Sequence, residues 1–191
     1  MPYELQVRGK VSPSSSSVTL EFSNTGKGGA VFQVRSGNAA DPVRNYTVEP
    51  GKKLAGVWTV AASYDLSVYG PNGFLRQFEG SIGAGVAVLD VRSRYRTEDG
   101  GGLAWSVTNA GTGNATVSVL DAYSGKQEMR VLKPHTTLED TWSLDDFHNW
   151  YDVVVTVAED ASFQSRLAGH VETGEDSYSD PALGGLVQLK A

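Results

Sequence analysis

The chain has 191 residues, enough for one large domain or two of about 90 residues each. Its apolar content of 40% and its 22 glycines suit a turn-rich β protein better than a helical one, and a net charge of −6 argues against nucleic acid as a general partner. Without cysteine it can form neither disulfides nor thiolate metal sites, and no apolar run approaches the roughly 18 to 20 residues that cross a bilayer as a helix.

In chain order, the first half reads as seven short strands. They are expected at 3–11, 17–24, 30–36, 45–49, 54–60, 64–69 and 75–80, each an alternating apolar run bounded by Gly, Pro, Asn or Ser. Met1-Pro2 runs directly into the first of these with no leader ahead of it, so the natural chain is expected to extend upstream. No stretch carries a sustained 3.6-residue period.

The second half repeats the first. VTLEFSNTGKGGAVFQV at 18–34 returns as LAWSVTNAGTGNATVSV at 103–119, and both place Asn-x-Gly between two alternating runs. That spacing predicts a tight turn in which Asn and Gly take up positive φ. Further blocks match in the same order. ELQVRGKV matches VLDVRSRY, VEPGKKLAGVW matches LKPHTTLEDTW, YDLSV matches YDVVV, and GFLRQFEG matches SFQSRLAG. The pattern predicts a tandem duplication and an all-β fold of two tandem immunoglobulin-like β-sandwich domains, at 1–82 and 86–172. A short linker is expected at 81–85 and a polar tail at 173–191. Trp58 and Trp142, which recur with their flanking Pro and Leu, are expected as core anchors. The halves differ in charge: residues 1–85 carry eight Lys/Arg against six Asp/Glu, and residues 86–191 carry eight against sixteen.

No residue set for catalysis emerges, and no catalytic, cofactor-binding or metal-binding residue is assigned. Gly26-Lys27-Gly28-Gly29 lacks the GxxxxGK[ST] of a phosphate loop, and Thr112 replaces Lys27 in the second copy. His135, His148 and His170 fall in no metal-binding motif and are expected in exposed loops or strands. Asp145-Asp146 and Glu159-Asp160 are adjacent pairs, which on extended backbone point to opposite faces. They read as solvated loops, with weak calcium binding as the other reading. Asn45-Tyr46-Thr47 and Asn114-Ala115-Thr116 fit the glycosylation sequon.

One insertion breaks the symmetry. TVAAS at 59–63 becomes SLDDFHNW at 143–150, three residues longer and aromatic. Phe147 and Trp150, with Tyr151 and Phe74, are the candidates for contact with a lipid surface or a partner, since such rings favour half-wet positions. The competing reading folds the Phe147 and Trp150 rings back over the end of the sandwich.

At VTLEFSNTGKGGAVFQVRSGN, YTVEPGKKL, YDLSVYGPNGFLRQFEG and the closing GHVETGEDSYSDPALG, the sequence resembles the C-terminal domain of bacterial phosphocholine-preferring phospholipases C. In that family the domain occurs as two copies behind a catalytic domain. The second copy here keeps VTNAG, LKPHTTL and YDVVV but loses the GPNGF turn. The resemblance implies a non-catalytic accessory region of a secreted or periplasmic enzyme. Its parent would hydrolyse phosphatidylcholine or sphingomyelin to diacylglycerol or ceramide and phosphocholine. The implied partners are the upstream catalytic domain of the same chain and a choline-lipid surface, and the catalytic residues would lie upstream. A free-standing carbohydrate- or protein-binding sandwich is the alternative.

Overall fold

A computed structural model describes residues 3–83, 86–97, 101–174 and 176–182. The first half folds as β1 (Leu5–Ser12), β2 (Ser17–Asn24), β3 (Ala30–Ser36), β4 (Arg44–Val48), β5 (Lys52–Thr59), β6 (Ser63–Tyr69) and β7 (Leu75–Ser81). The second half repeats the series as β8 (Leu89–Arg96), β9 (Gly102–Asn109), β10 (Ala115–Asp121), β11 (Gln127–Leu132), β12 (Thr137–Ser143), β13 (Trp150–Val157) and β14 (Asp160–His170). Two 3-10 turns, Pro13–Ser15 and Asp145–Phe147, are the helical segments among the described residues.

All pairings are antiparallel, as expected where short connections join strands that bury one face. In each half, three strands pack over four: β1-β2-β5 over β4-β3-β6-β7, and β8-β9-β12 over β11-β10-β13-β14. This is an immunoglobulin-like arrangement in which the fourth strand pairs with the third instead of the fifth. Alternation drives the layering. Val18, Leu20 and Phe22 on β2 and Ala30, Phe32 and Val34 on β3 point inward and are at most 2% exposed, while the residues between them face out. Trp58 and Trp142 are buried, and the cores form two clusters, one per half.

The repeated Asn-x-Gly is held for a reason other than the expected one. Neither Asn24, Gly26 and Gly28 nor Asn109, Gly111 and Gly113 has positive φ. Asn24 is instead fully buried at the end of β2. Its Nδ2 donates to the carbonyls of Gly28 at 2.7 Å and Val48 at 3.0 Å, and its Oδ1 accepts from the Gly26 N–H at 3.0 Å. Asn109 does the same with Gly113 at 2.7 Å, Leu132 at 3.0 Å and Gly111 at 2.9 Å. A side chain with two donors and an acceptor satisfies three backbone groups where the β2–β3 connection leaves the sheet. The motif is an internal clamp, used twice.

Candidate functional site

The two halves meet along their last strands. β7 pairs with β14, joining the two four-stranded sheets into one eight-stranded sheet. Aligning GFLRQFEG with SFQSRLAG makes Gln77 and Arg166 equivalent, and these two face each other at the centre of the pairing. Leu75 opposite Ala168 and Glu79 opposite Gln164 complete a register with a local two-fold axis, the isologous pattern of a dimer, here within one chain. On the opposite layer, β1 lies beside its equivalent β8.

The seam is closed by a cation. Inward alternation along FLRQFEG places Arg76 on the same face as Phe74, and Arg76 is 0% exposed. Its Nη1 donates to the carbonyls of Leu75 at 2.7 Å and Ala168 at 2.9 Å. Its Nη2 donates to Tyr151 Oη at 2.9 Å and Ser93 Oγ at 3.3 Å. Three of these four acceptors belong to the second half. The guanidinium also lies over the Phe74 ring at 4.2 Å and the Tyr151 ring at 5.5 Å. Tyr151 Oη is 2.9 Å from Tyr95 Oη, and Ser93 Oγ donates to Gln6 Oε1 at 3.1 Å. Burial, with Tyr151 alongside, pushes the Tyr95 hydroxyl well above its ordinary pKa, so it stays neutral. Among the described residues no carboxylate reaches Arg76. The counterpart of Arg76 in the second copy is Ser165, 4% exposed, so a strong donor set lies on one side of the axis only.

A surface ion cluster spans the same seam. Arg8 on β1 grips Asp90 on β8 through Nε at 2.8 Å and Nη2 at 2.5 Å, and Arg92 holds the same carboxylate through Nη2 at 2.6 Å. Burial pulls the Asp90 pKa up, but Arg92 and Arg8 together outweigh it and hold the carboxyl below its usual value.

The fold of each half is thus mirrored in the other, and so is the family match. The profile of the family described as "Bacterial phospholipase C, C-terminal domain" matches residues 1–81 and again residues 89–170. The chain belongs to that family.

This phospholipase C C-terminal region is 42% identical to the non-hemolytic phospholipase C of Burkholderia pseudomallei, an alignment covering 96% of this chain and 27% of that protein. It is 35% identical to the non-hemolytic phospholipase C of Pseudomonas aeruginosa, over 96% of this chain and 28% of the relative. The hemolytic phospholipase C of the same organism is 33% identical over 87% of this chain and 25% of its own length. The chain therefore spans about a quarter of the length of the curated relatives it matches.

Within this phospholipase C C-terminal region the four candidate contact residues go to different places. Phe74, 3% exposed, packs edge-on to Phe32 at 5.6 Å, and Tyr151, 1% exposed, is tied into the Arg76 network. Both alternate inward on their strands, so their rings are packed inside the chain and not at the surface where the sequence reading placed them. Trp150 is half-buried. Its Nε1 donates to the Tyr178 carbonyl at 2.8 Å, and its ring lies against Gly73 of the GPNGF turn, where an added Cβ would sit 2.5 Å from it. Asn72 of that turn donates to Glu172. The turn that the second copy lacks is thus used by the first copy to hold the second. Phe147 is half-buried, 5.3 Å from the Tyr123 ring.

The remaining candidates have local work. His148 stacks on Tyr178 at 4.4 Å, and His170 Nε2 lies 3.1 Å from the His148 carbonyl. Burial lowers the pKa of His170. Glu159 accepts from the N–H and hydroxyl of Thr116, and Asp160 accepts from the Ala87 N–H. Among the described residues no group of three or more His, Asp or Glu side chains converges on a metal-sized point, and no helix is long and apolar enough to cross a membrane.

Sequence reasoning missed Arg76. The signal was present: the period-2 pattern of Phe74, Arg76 and Phe78 assigns one face to all three, and the usual expectation that arginine seeks water concealed it.

Proposed function

We propose that this region is the non-catalytic C-terminal part of a longer, exported bacterial phospholipase C, and that it supports the catalytic domain upstream. The observation that carries the reading is the double family match in a chain spanning about a quarter of relatives named phospholipase C. The junction supports it further. One sheet of eight strands, a buried arginine bonded across the seam and a bridging ion cluster make the two halves a single stiff unit. A stiff unit suits a supporting role. The parent enzyme would cleave phosphatidylcholine or sphingomyelin to diacylglycerol or ceramide and phosphocholine.

Two measurements test this. The 191-residue chain, offered a chromogenic choline phosphodiester, is expected to release no chromophore above buffer. Turnover by this chain would overturn the reading. In the full-length enzyme, deleting the region is expected to lower the melting temperature of the catalytic part, and an unchanged melt would remove the supporting role.

A further inference from the structure

The eight-stranded sheet ends in β11 on the side of the second half, and among the described residues no strand pairs with the outer edge of β11. The ladder decides which backbone groups that edge presents. The Asp121 N–H donates to the Lys126 carbonyl at 2.8 Å, one step beyond the Leu120–Gln127 pair. Hydrogen-bonded and non-bonded pairs alternate along an antiparallel ladder, so Glu128, Arg130 and Leu132 turn their N–H and C=O toward β10. Gln127, Met129 and Val131 turn theirs outward. The Ala158 N–H, which donates to the Thr116 carbonyl at 3.0 Å on the other side of β10, fits the same alternation.

This edge differs from its equivalent in the first half. Aligning VEPGKKLAGVW with LKPHTTLEDTW sets Leu132 over Val48, so Met129 and Val131 stand where β4 carries Asn45 and Thr47. At 59% and 61% they are the most exposed large apolar side chains among the described residues. An uncovered edge bearing such side chains is a template for another strand. The charges beside Met129 decide which strand fits. Glu128 and Arg130 flank it, 3.2 Å apart, their side chains 23% and 63% exposed. Read backwards, Glu-Met-Arg becomes Arg-Met-Glu, its own electrostatic complement. An antiparallel second copy centred on Met129 therefore sets Glu128 opposite that copy's Arg130, and Arg130 opposite its Glu128. The backbone accepts the same centre. Met129 faces Met129 and Gln127 faces Val131, each pair exchanging both its bonds, while the charged residues fall at the non-bonded pairs, where side chains come closest.

We propose that β11 is a docking edge for a second copy of this chain, antiparallel about a two-fold axis at Met129, which continues the sheet of one molecule into the other. The axis is of the same isologous kind as the pairing of β7 with β14. One short strand from each copy buries little surface, so the dimer is weak and depends on concentration.

Sedimentation velocity of the 191-residue chain, from low micromolar to near-millimolar concentration, tests this. The expected result is a monomer that passes to a dimer and stops there. Met129→Pro removes an N–H that points away from β10, so it takes no bond from the ladder within the chain. It should weaken the dimer at least about tenfold. Asn45→Pro, the equivalent change on β4, should leave the dimer unaltered. Glu128→Arg should weaken it about tenfold, since like charges then stand opposite one another on both sides of the axis, and adding Arg130→Glu should restore it. Thermal melts check that each variant keeps the fold. A chain that stays monomeric throughout, or that grows past the dimer, overturns the proposal. So does a folded Met129→Pro chain that pairs like the wild type, loss of the dimer in Asn45→Pro, or failure of Arg130→Glu to restore what Glu128→Arg removes.

Discussion

Replacing Asn24 with Ala removes one side chain and strands three backbone groups. The Gly28 and Val48 carbonyls lose donors at 2.7 and 3.0 Å, and the Gly26 N–H loses its acceptor at 3.0 Å, at a position with no exposure to water. At about 1 kcal/mol net per hydrogen bond, the loss comes to about 3 kcal/mol. For a chain of this size each kcal/mol shifts the midpoint by roughly 2 to 4 °C, so the melt should fall by about 6 to 12 °C. Asn109→Ala should cost the same, because its three partners lie at nearly the same distances. Asn24→Asp gives a sharper reading. It preserves shape but turns a carboxylate toward two carbonyl oxygens, so its folded-state pKa must rise above the ordinary value of about 3.9. A raised carboxyl pKa destabilises at neutral pH and recovers as pH falls through that folded value. Calorimetry at pH 7 and at pH 4 to 5 measures both. The reasoning is refuted if Asn24→Ala and Asn109→Ala each shift the melt by less than about 2 °C, or if the Asp variant is relatively less stable at the lower pH.

Gly80→Ala should lower stability by about 1 to 3 kcal/mol, the usual cost of overpacking, because the new Cβ would lie 2.4 Å from Tyr64 Oη. Tyr64→Phe in the same background should recover part of the loss, and equal melts for Gly80→Ala and wild type would contradict the close approach. Asp90→Asn should be less stable than wild type at pH 7, with the difference vanishing in acid. A carboxylate whose folded pKa lies below its unfolded value stabilises above the unfolded pKa and loses that contribution as pH falls through the folded one. Paired melts from pH 7 down to pH 3 check this, and a constant difference would remove the ion cluster as its source. Phe147→Ala and Trp150→Ala should leave co-sedimentation with phosphatidylcholine vesicles unchanged, since both rings are engaged within the chain; a fall in binding would restore their lipid role.

Much of the fold was legible because burial on one face of each strand writes itself as alternation. The seven strands expected in the first half are all present, with ends moved by two residues or fewer. β5, for example, starts at Lys52 instead of Leu54, because Gly51 at φ +69° turns the chain at once and Lys52 N–H closes on the Glu49 carbonyl. At the linker expected over 81–85, β7 runs through Ser81 and the Ile82 N–H donates to the Ala62 carbonyl, and residues 84–85 lie outside those described. The junction was not legible. Pairing of β7 with β14 depends on which edge meets which, and an alternating strand carries the same pattern whether its edge is free or covered. The surroundings of the aromatic insertion were not legible for a related reason: Trp150, at the start of β13, meets the Gly73 turn and Tyr178, both far away in sequence.

The self-matching register at Gln77 and Arg166 bears on how such a chain could have arisen. A gene encoding the unit only once would leave its final strand with an open hydrogen-bonding edge, and a second molecule offering that same strand would fit it. Fusion of two such genes turns a concentration-dependent encounter into a permanent one. It also lets the two copies differ, as Arg76 and its counterpart Ser165 do.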